Sequence, residues 1–281
     1  MITLDGVAYA YPDAEVFALE KVNLHVPAGE ILGIVGASGA GKTTLAKAIA
    51  GFVPHVDGGE LSGTVTVDGI GIADVRLAEA VAKVGLVIQN PFNQISGAKY
   101  TVLDEIAFGL ENIGTPREDM IGQVRAAADL LRISHLLDRS PYALSGGQQQ
   151  LVAIASMIVM RTPVLVMDEP TSQLDPAGTR MVFDVLSSLR DAGTTIVILE
   201  HKLEMLREHA DRVAVIADHT IAAIGDPRQI LSDPRTAEWG VGATRVTTAA
   251  REVSARGLQT SGPLLPVSVE DALIAFATEE S

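Results

Sequence analysis

Residues 36 to 44 read GASGAGKTT, a glycine-rich run closed by lysine and two threonines, and its chemistry is the cradling of phosphate. Gly36, Gly39 and Gly41, with Ala37, Ser38 and Ala40 between them, let successive backbone N–H groups turn inward around a polyphosphate. Lys42 reaches the β and γ phosphates, Thr43 offers a hydroxyl to magnesium, and Thr44 continues into a helix whose N-terminus adds positive potential. A glycine-rich turn with an incidental lysine is the competing reading. Against it, an apolar run (ILGIV, 31 to 35) precedes the motif and a helical stretch (KTTLAKAIA) follows it. In VLVMDE at 164 to 169, Asp168 falls at the end of an apolar run, where open parallel sheets bind ligands. A carboxylate there can hold magnesium, and Glu169 can polarise an attacking water as general base. Finally, LSGGQ at 144 to 148 sets Ser145, Gly146, Gly147 and Gln148 at a helix start. That is either an ordinary N-cap or a second anion-binding terminus, which a nucleotide already held by Lys42 does not need.

These residues need a scaffold, and the hydrophobic pattern predicts one. The runs ILGIV, VLVM (164 to 167) and TIVIL (195 to 199) are continuously apolar, as strands of a parallel sheet covered on both faces must be. Ahead of them Val22, Leu24 and Val26 alternate with polar residues before a Pro27-Ala28-Gly29 turn, which predicts an N-terminal antiparallel edge sheet. Between about 101 and 160 strand patterns give way to helical ones. Thr101 with Asp104 forms a capping box, Pro116 opens a second helix, and Ser145 caps a third that runs to Met160. The expected architecture is α/β: a P-loop core with a mostly parallel sheet, an N-terminal antiparallel β subdomain and an inserted α-helical subdomain. Past residue 225 the chain reads as loop, with Pro227, Pro234 and LQTSGPLLP, then a short helix capped by Ser268 and Asp271 with an apolar stripe at Val269, Ala272, Leu273 and Phe276.

Composition excludes several classes. Of 281 residues 47% are hydrophobic and 20% charged, which is globular rather than disordered composition. A net charge of −14 repels nucleic acid and anionic lipid, so no nucleic-acid partner is expected. With 0 cysteines, disulfides, zinc knuckles and thiol nucleophiles are out of reach. No apolar run approaches the roughly 18 residues of a spanning helix, and acidic residues precede Lys21, so neither a membrane span nor a secretory leader is predicted. A cytoplasmic location is expected.

The order of GASGAGKTT, LSGGQ and DEP (168 to 170) resembles the ATP-binding cassette ATPases over residues 1 to about 230, with 231 to 281 a C-terminal extension. The resemblance implies ATP and Mg²⁺ as cofactors and further roles for single residues. Tyr11 corresponds to the aromatic that stacks on adenine, although it also reads as a plain strand aromatic. Gln89 corresponds to the glutamine that meets magnesium and the attacking water. SQLD (172 to 175) corresponds to the loop between opposed nucleotide sites, and His201 to the histidine that contacts the γ-phosphate. The remaining histidines, at 25, 55, 135, 209 and 219, carry no role in this reading.

Within the family, QNPFNQISGAKYTVLDEIAFGLEN (89 to 112), EHKLE (200 to 204) and LLPVSVEDALIAF (264 to 276) are most similar to the ATPases of energy-coupling factor importers. That implies ATP hydrolysis powering uptake of a vitamin or transition-metal ion, at the inner face of the cell membrane. The implied partners are a second cassette, a transmembrane coupling protein and a substrate-capturing membrane protein. Phe92, Ile95 and Tyr100 would form the membrane-protein contact. A soluble, non-transport cassette ATPase is the alternative, disfavoured by the acidic charge and the lack of cysteine. Two positions depart from the family: Ala40 stands where serine is frequent, and Leu151 where arginine is usual. Leu151 either packs in the core with Ile154 and Ile158 or weakens the signature, in which case the second cassette would be non-identical.

Overall fold

The computed structural model describes residues 1–256 and 264–276. Its strands are β1 (Ile2–Ala10), β2 (Leu19–Val26), β3 (Ile31–Val35), β4 (Glu60–Val67), β5 (Ile70–Gly71), β6 (Val84–Val87), β7 (Val164–Asp168), β8 (Thr195–Leu199), β9 (Arg212–Ala217) and β10 (Thr220–Gly225). The first helices are α1 (Lys42–Ile49), α2 (Phe52–His55), α3 (Leu77–Val81), α4 (Pro91–Gln94), α5 (Val102–Asn112) and α6 (Arg117–Leu130). After them come α7 (Gly146–Ile158), α8 (Pro176–Asp191), α9 (Leu203–His209), α10 (Pro227–Ser232), α11 (Arg245–Ala255) and α12 (Val269–Ala275).

Among the described residues the strands form two sheets. The predicted edge sheet is a sheet of its own, in the order β2-β1-β4-β5 and antiparallel throughout. The other runs β10-β9-β3-β8-β7-β6, parallel except for β10. All five residues of β3, of β7 and of β8 are buried. In β3, Ile31 and Val35 belong to one core cluster while Leu32 and Ile34 belong to the other, so both faces are covered. That is the reason the three apolar runs lack alternation.

The order β3-β8-β7 makes these three strands neighbours, with Ile34 opposite Leu199 and Leu199 opposite Asp168. Because the strands are parallel, their C-terminal ends lie along one edge of the sheet. Residues 36 and 169 follow directly from those ends, and residue 201 comes two past the end of β8.

Helices α5, α6 and α7 pack on one another between β6 and β7. Thr101 accepts the amide of Asp104 while donating its hydroxyl to the Asp104 carboxylate, and Pro116 takes the N-cap of α6. The α7 helix carries a full capping box between Ser145 and Gln148 and ends at Ile158, two residues short of the expected end.

The C-terminal region departs further from expectation. The described residues after 225 are largely helical, because Asp226 caps α10 with Pro227 in its first turn and Thr244 caps α11. Proline at such a position starts a helix rather than marking a loop. The capping box of α12 is present, but the apolar stripe does not face inward. Asp271 and Ala275 are buried, whereas Val269, Leu273 and Phe276 are exposed. Asp271 decides the orientation by accepting two hydrogen bonds from Arg207 of α9. The segment 258–263, the first part of LQTSGPLLP, lies outside the described residues.

Candidate functional site

The phosphate loop joins β3 to α1 and is shaped by close approach. At Gly36, with φ 153°, an added Cβ would stand 2.1 Å from the Ile216 carbonyl oxygen. At Gly41, with φ 107°, it would stand 2.5 Å from the Ala18 carbonyl oxygen. Only glycine fits either place. Lys42 is buried, and its ammonium donates to the carbonyls of Gly36 and Ala37, both at 2.8 Å. Burial lowers its pKa against the pull of Glu169 and Asp168. The lysine thus lies folded across the loop where phosphate oxygens would be gathered.

Asp168 sits at the end of β7 and accepts the Thr43 hydroxyl at 2.7 Å. Its carboxyl is pushed up chiefly by burial, against the opposing effects of the Thr43 hydroxyl and of Lys42. Glu169 follows in a left-handed conformation, φ 46°, which costs about 1–2 kcal/mol for a residue with a side chain. Its carboxylate is gripped on both sides. One oxygen accepts the Gln89 amide at 2.8 Å and the other lies 3.1 Å from His201 Nε2. The three residues expected to carry catalysis are thereby brought into direct contact.

A cleft of about 380 Å³ runs along this edge, lined by Lys42, Thr43, Gln89, Glu169 and His201 at one end and by Tyr11, Val16, Phe17 and His219 elsewhere. Tyr11 lies half-buried in its wall with the hydroxyl 3.1 Å from Thr44 Oγ1, the ring edge-on to Tyr9 and the Lys47 ammonium over the ring. Ser38 and Gly39 are exposed along the loop, while Ala40 is buried. Ser145, Gly146, Gly147 and Gln148 do not line the cleft. They meet the SQLD loop instead, a Cβ at Gly147 standing 3.0 Å from the Gln173 carbonyl oxygen. Leu151 is partly buried against the core of the helical region, as the packing reading has it.

Several contributors were not legible beforehand. Glu200 is buried between Thr171, whose hydroxyl it accepts at 2.9 Å, and the amides of His201 and Lys202. Burial pushes its carboxyl up. Lys202 donates to the Thr171 carbonyl at 2.8 Å, so the turn carrying His201 is tied to the turn after Glu169. An acid directly after an apolar strand was the signal. Val16, Phe17 and His219 reach the cleft from loops whose path no local pattern reveals.

A profile of the ABC transporter family matches residues 19–172. An energy-coupling factor transporter ATP-binding protein, EcfA1, of Lacticaseibacillus paracasei is 42% identical over 233 residues, 83% of this chain and 81% of that protein. The EcfA1 of Bacillus licheniformis is 39% identical over 82% of this chain and 80% of its own. Among solved structures, CbiO1 of Clostridium perfringens, part of the ABC transporter complex CbiONQ, superposes with a TM-score of 0.72 at 28% identity, covering 91% of this chain and 95% of that one. A dimeric ATP-binding cassette bound to ADP and Pi superposes with a TM-score of 0.71 at 28% identity over 81% and 99%. On these likenesses and on the cleft that precedes them, the chain belongs to the ABC transporter family and is one of its ATPases.

Proposed function

We propose that this chain is the ATP-hydrolysing subunit of an energy-coupling-factor importer for a vitamin or a transition-metal ion. Residues 1–230 act as the cassette and 231–281 as an extension. The observation that carries the site reading is the convergence of Lys42, Thr43 with Asp168, and Glu169 with Gln89 and His201 in one cleft. In this reading the phosphates lie over residues 36–44, and Lys42 exchanges its two loop carbonyls for phosphate oxygens. Tyr11 flanks the base. Glu169 holds the attacking water as general base, oriented by Gln89, while His201 faces the γ-phosphate. Gln89, Glu169 and His201 already stand together, which limits the reorganisation left for the chemical step.

The donor set suits magnesium: the Thr43 hydroxyl, the Asp168 carboxylate and the Gln89 side-chain carbonyl are hard oxygens, and Mg²⁺ is held by one or two carboxylates with substrate phosphates and water. When bound, the ion neutralises charge developing on the phosphates.

Ser145 to Gln148 lie outside the cleft lining, which supports their serving the nucleotide of a second cassette. Phe92 and Tyr100 are exposed, at 58% and 90%, and Ile95 is half-buried; with the α4 turn they offer a docking surface to the transmembrane coupling protein. Among the described residues no helix is long and apolar enough to cross a membrane, and attachment to the inner membrane face through that partner follows from the reading. EcfA1 and CbiO1 supply the analogy for the assembly.

The test is ATP titration of the full chain and of Lys42→Ala. Loss of ATP binding in the variant is expected, and equal affinity of the two proteins overturns the assignment.

A further inference from the structure

His219 sits at the tip of the β9–β10 hairpin, where it and Asp218 both adopt positive φ, 65° and 47°. Tight hairpins of this kind favour glycine or asparagine at such positions. Histidine is among the side chains that tolerate positive φ, and the turn fixes where its ring can reach.

Two bonds fix it. Its backbone carbonyl accepts the Glu20 amide at 2.8 Å, and its ring Nδ1 lies 3.3 Å from the Ala18 carbonyl oxygen. The same carbonyl abuts Gly41 of the phosphate loop, 2.5 Å from where a Cβ would be. One peptide group therefore separates the ring from the phosphate cradle. The ring lines the cleft with Tyr11, Val16 and Phe17, and Val16 and Phe17 are 71% and 50% exposed. This is the apolar, aromatic part of a cleft whose other end carries Lys42 and Glu169.

A carbonyl oxygen can only accept, so Nδ1 must carry the proton of the neutral imidazole. That leaves Nε2 with a lone pair and no hydrogen. We infer that His219 reads the edge of the nucleobase, its Nε2 accepting the exocyclic 6-amino group of adenine while the aromatic wall takes the ring faces. An oxo group at that position of the purine, as in GTP, would set acceptor against acceptor. The inference rests on the phosphates lying over residues 36–44 and adds a base-specificity residue to that site.

The experiment measures the affinities of the full chain, with magnesium, for ATP, for purine riboside triphosphate, which lacks the 6-amino group, and for inorganic triphosphate. Each competes with a fluorescent ATP analogue. The wild type is expected to favour ATP over purine riboside triphosphate by about 3- to 10-fold, the worth of one hydrogen bond. In His219→Gly, which the positive φ accommodates, that ratio should fall to about one, with the other two affinities unchanged. A wild-type ratio of one, or a ratio that survives in His219→Gly, overturns the inference while leaving the phosphate site intact. Failure of inorganic triphosphate to compete in either protein would instead count against the phosphate reading beneath it. Should glycine lower all three affinities equally, the ring has only a structural role and the inference fails.

Discussion

Replacing Glu169 with glutamine separates a general base from a ground-state ligand. The side chain keeps its length, and the backbone strain at φ 46° is common to both proteins, so it cancels. Glutamine retains one acceptor oxygen for the Gln89 amide, now at 2.8 Å. Its new NH₂ group faces His201 Nε2, at 3.1 Å, and a histidine can change tautomer to accept it. The expected loss of folding stability is therefore below about 1 kcal/mol. The chemical step is another matter, since a positioned general base contributes about 10²- to 10⁴-fold, equivalent to roughly 2.7–5.4 kcal/mol of barrier. ATP affinity by titration, phosphate release and a thermal melt, run in parallel on wild type and Glu169→Gln, give the three quantities. Near-equal affinity and melting with turnover reduced at least about a hundredfold is the expected pattern, and ATP should then trap the cassette as a dimer. A fall in turnover of less than about tenfold, or loss of ATP affinity itself, would refute the assignment of Glu169 as base.

Asp168→Asn should raise the melting temperature at neutral pH in the absence of nucleotide while abolishing magnesium-dependent ATP stabilisation. Burial raises the carboxyl pKa, so the ionised form weakens the folded state above the unfolded pKa of about 3.9 and the penalty fades on acidification. Melts from pH 4 to 8 check this, and a gap that widens toward acid refutes it. Gly36→Ala, which drives a Cβ to 2.1 Å from the Ile216 carbonyl oxygen, should cost more than about 2 kcal/mol in urea unfolding. Gly193→Ala, with φ 100° but nothing within 4 Å, should cost only the backbone strain, about 1–2 kcal/mol. Asp271→Ala removes the acceptor of two Arg207 bonds at 3.0 and 3.2 Å and the N3 half of the α12 capping box, leaving the Ser268 cap. It should cost about 1.5–3 kcal/mol and speed proteolysis near the C-terminus.

The central sheet and the meeting of candidate residues at its edge were readable because each rests on a local signal. Three continuous apolar runs became three adjacent buried strands, and the residues that follow each run could only be delivered to one edge. Glycines at 36 and 41 were readable for the same reason, since their backbone demands are their own. Orientation was not readable where a buried charge overrules hydrophobic pattern. On α12 the stripe at Val269, Leu273 and Phe276 points outward because the charged bonds of Asp271 to Arg207 hold the opposite face. Prolines 227 and 234 looked like loop markers because their capping partners, Asp226 and Asp233, signal a helix only once the chain that follows is known to coil. His219 stayed hidden because its role depends on a contact with Ala18, 201 residues away.

The neighbour order β3-β8-β7 has a consequence for how this protein comes into being. Thr43 and Asp168 meet across 125 residues of sequence, Gln89 and Glu169 across 80. Contacts of such separation form late, after the entropy of closing long loops has been met. No fragment ending before residue 195 can contain the site, because β8 occupies the place between β3 and β7 and positions both. A nascent chain emerging from the ribosome would therefore be unable to bind nucleotide until β8, residues Thr195–Leu199, had been made. Once the sheet has closed, nucleotide stabilises all of its strands together by mass action, by about 2.7 kcal/mol at a hundredfold excess over Kd. In a cell, nucleotide supply then acts on the lifetime of the folded chain as well as on its turnover.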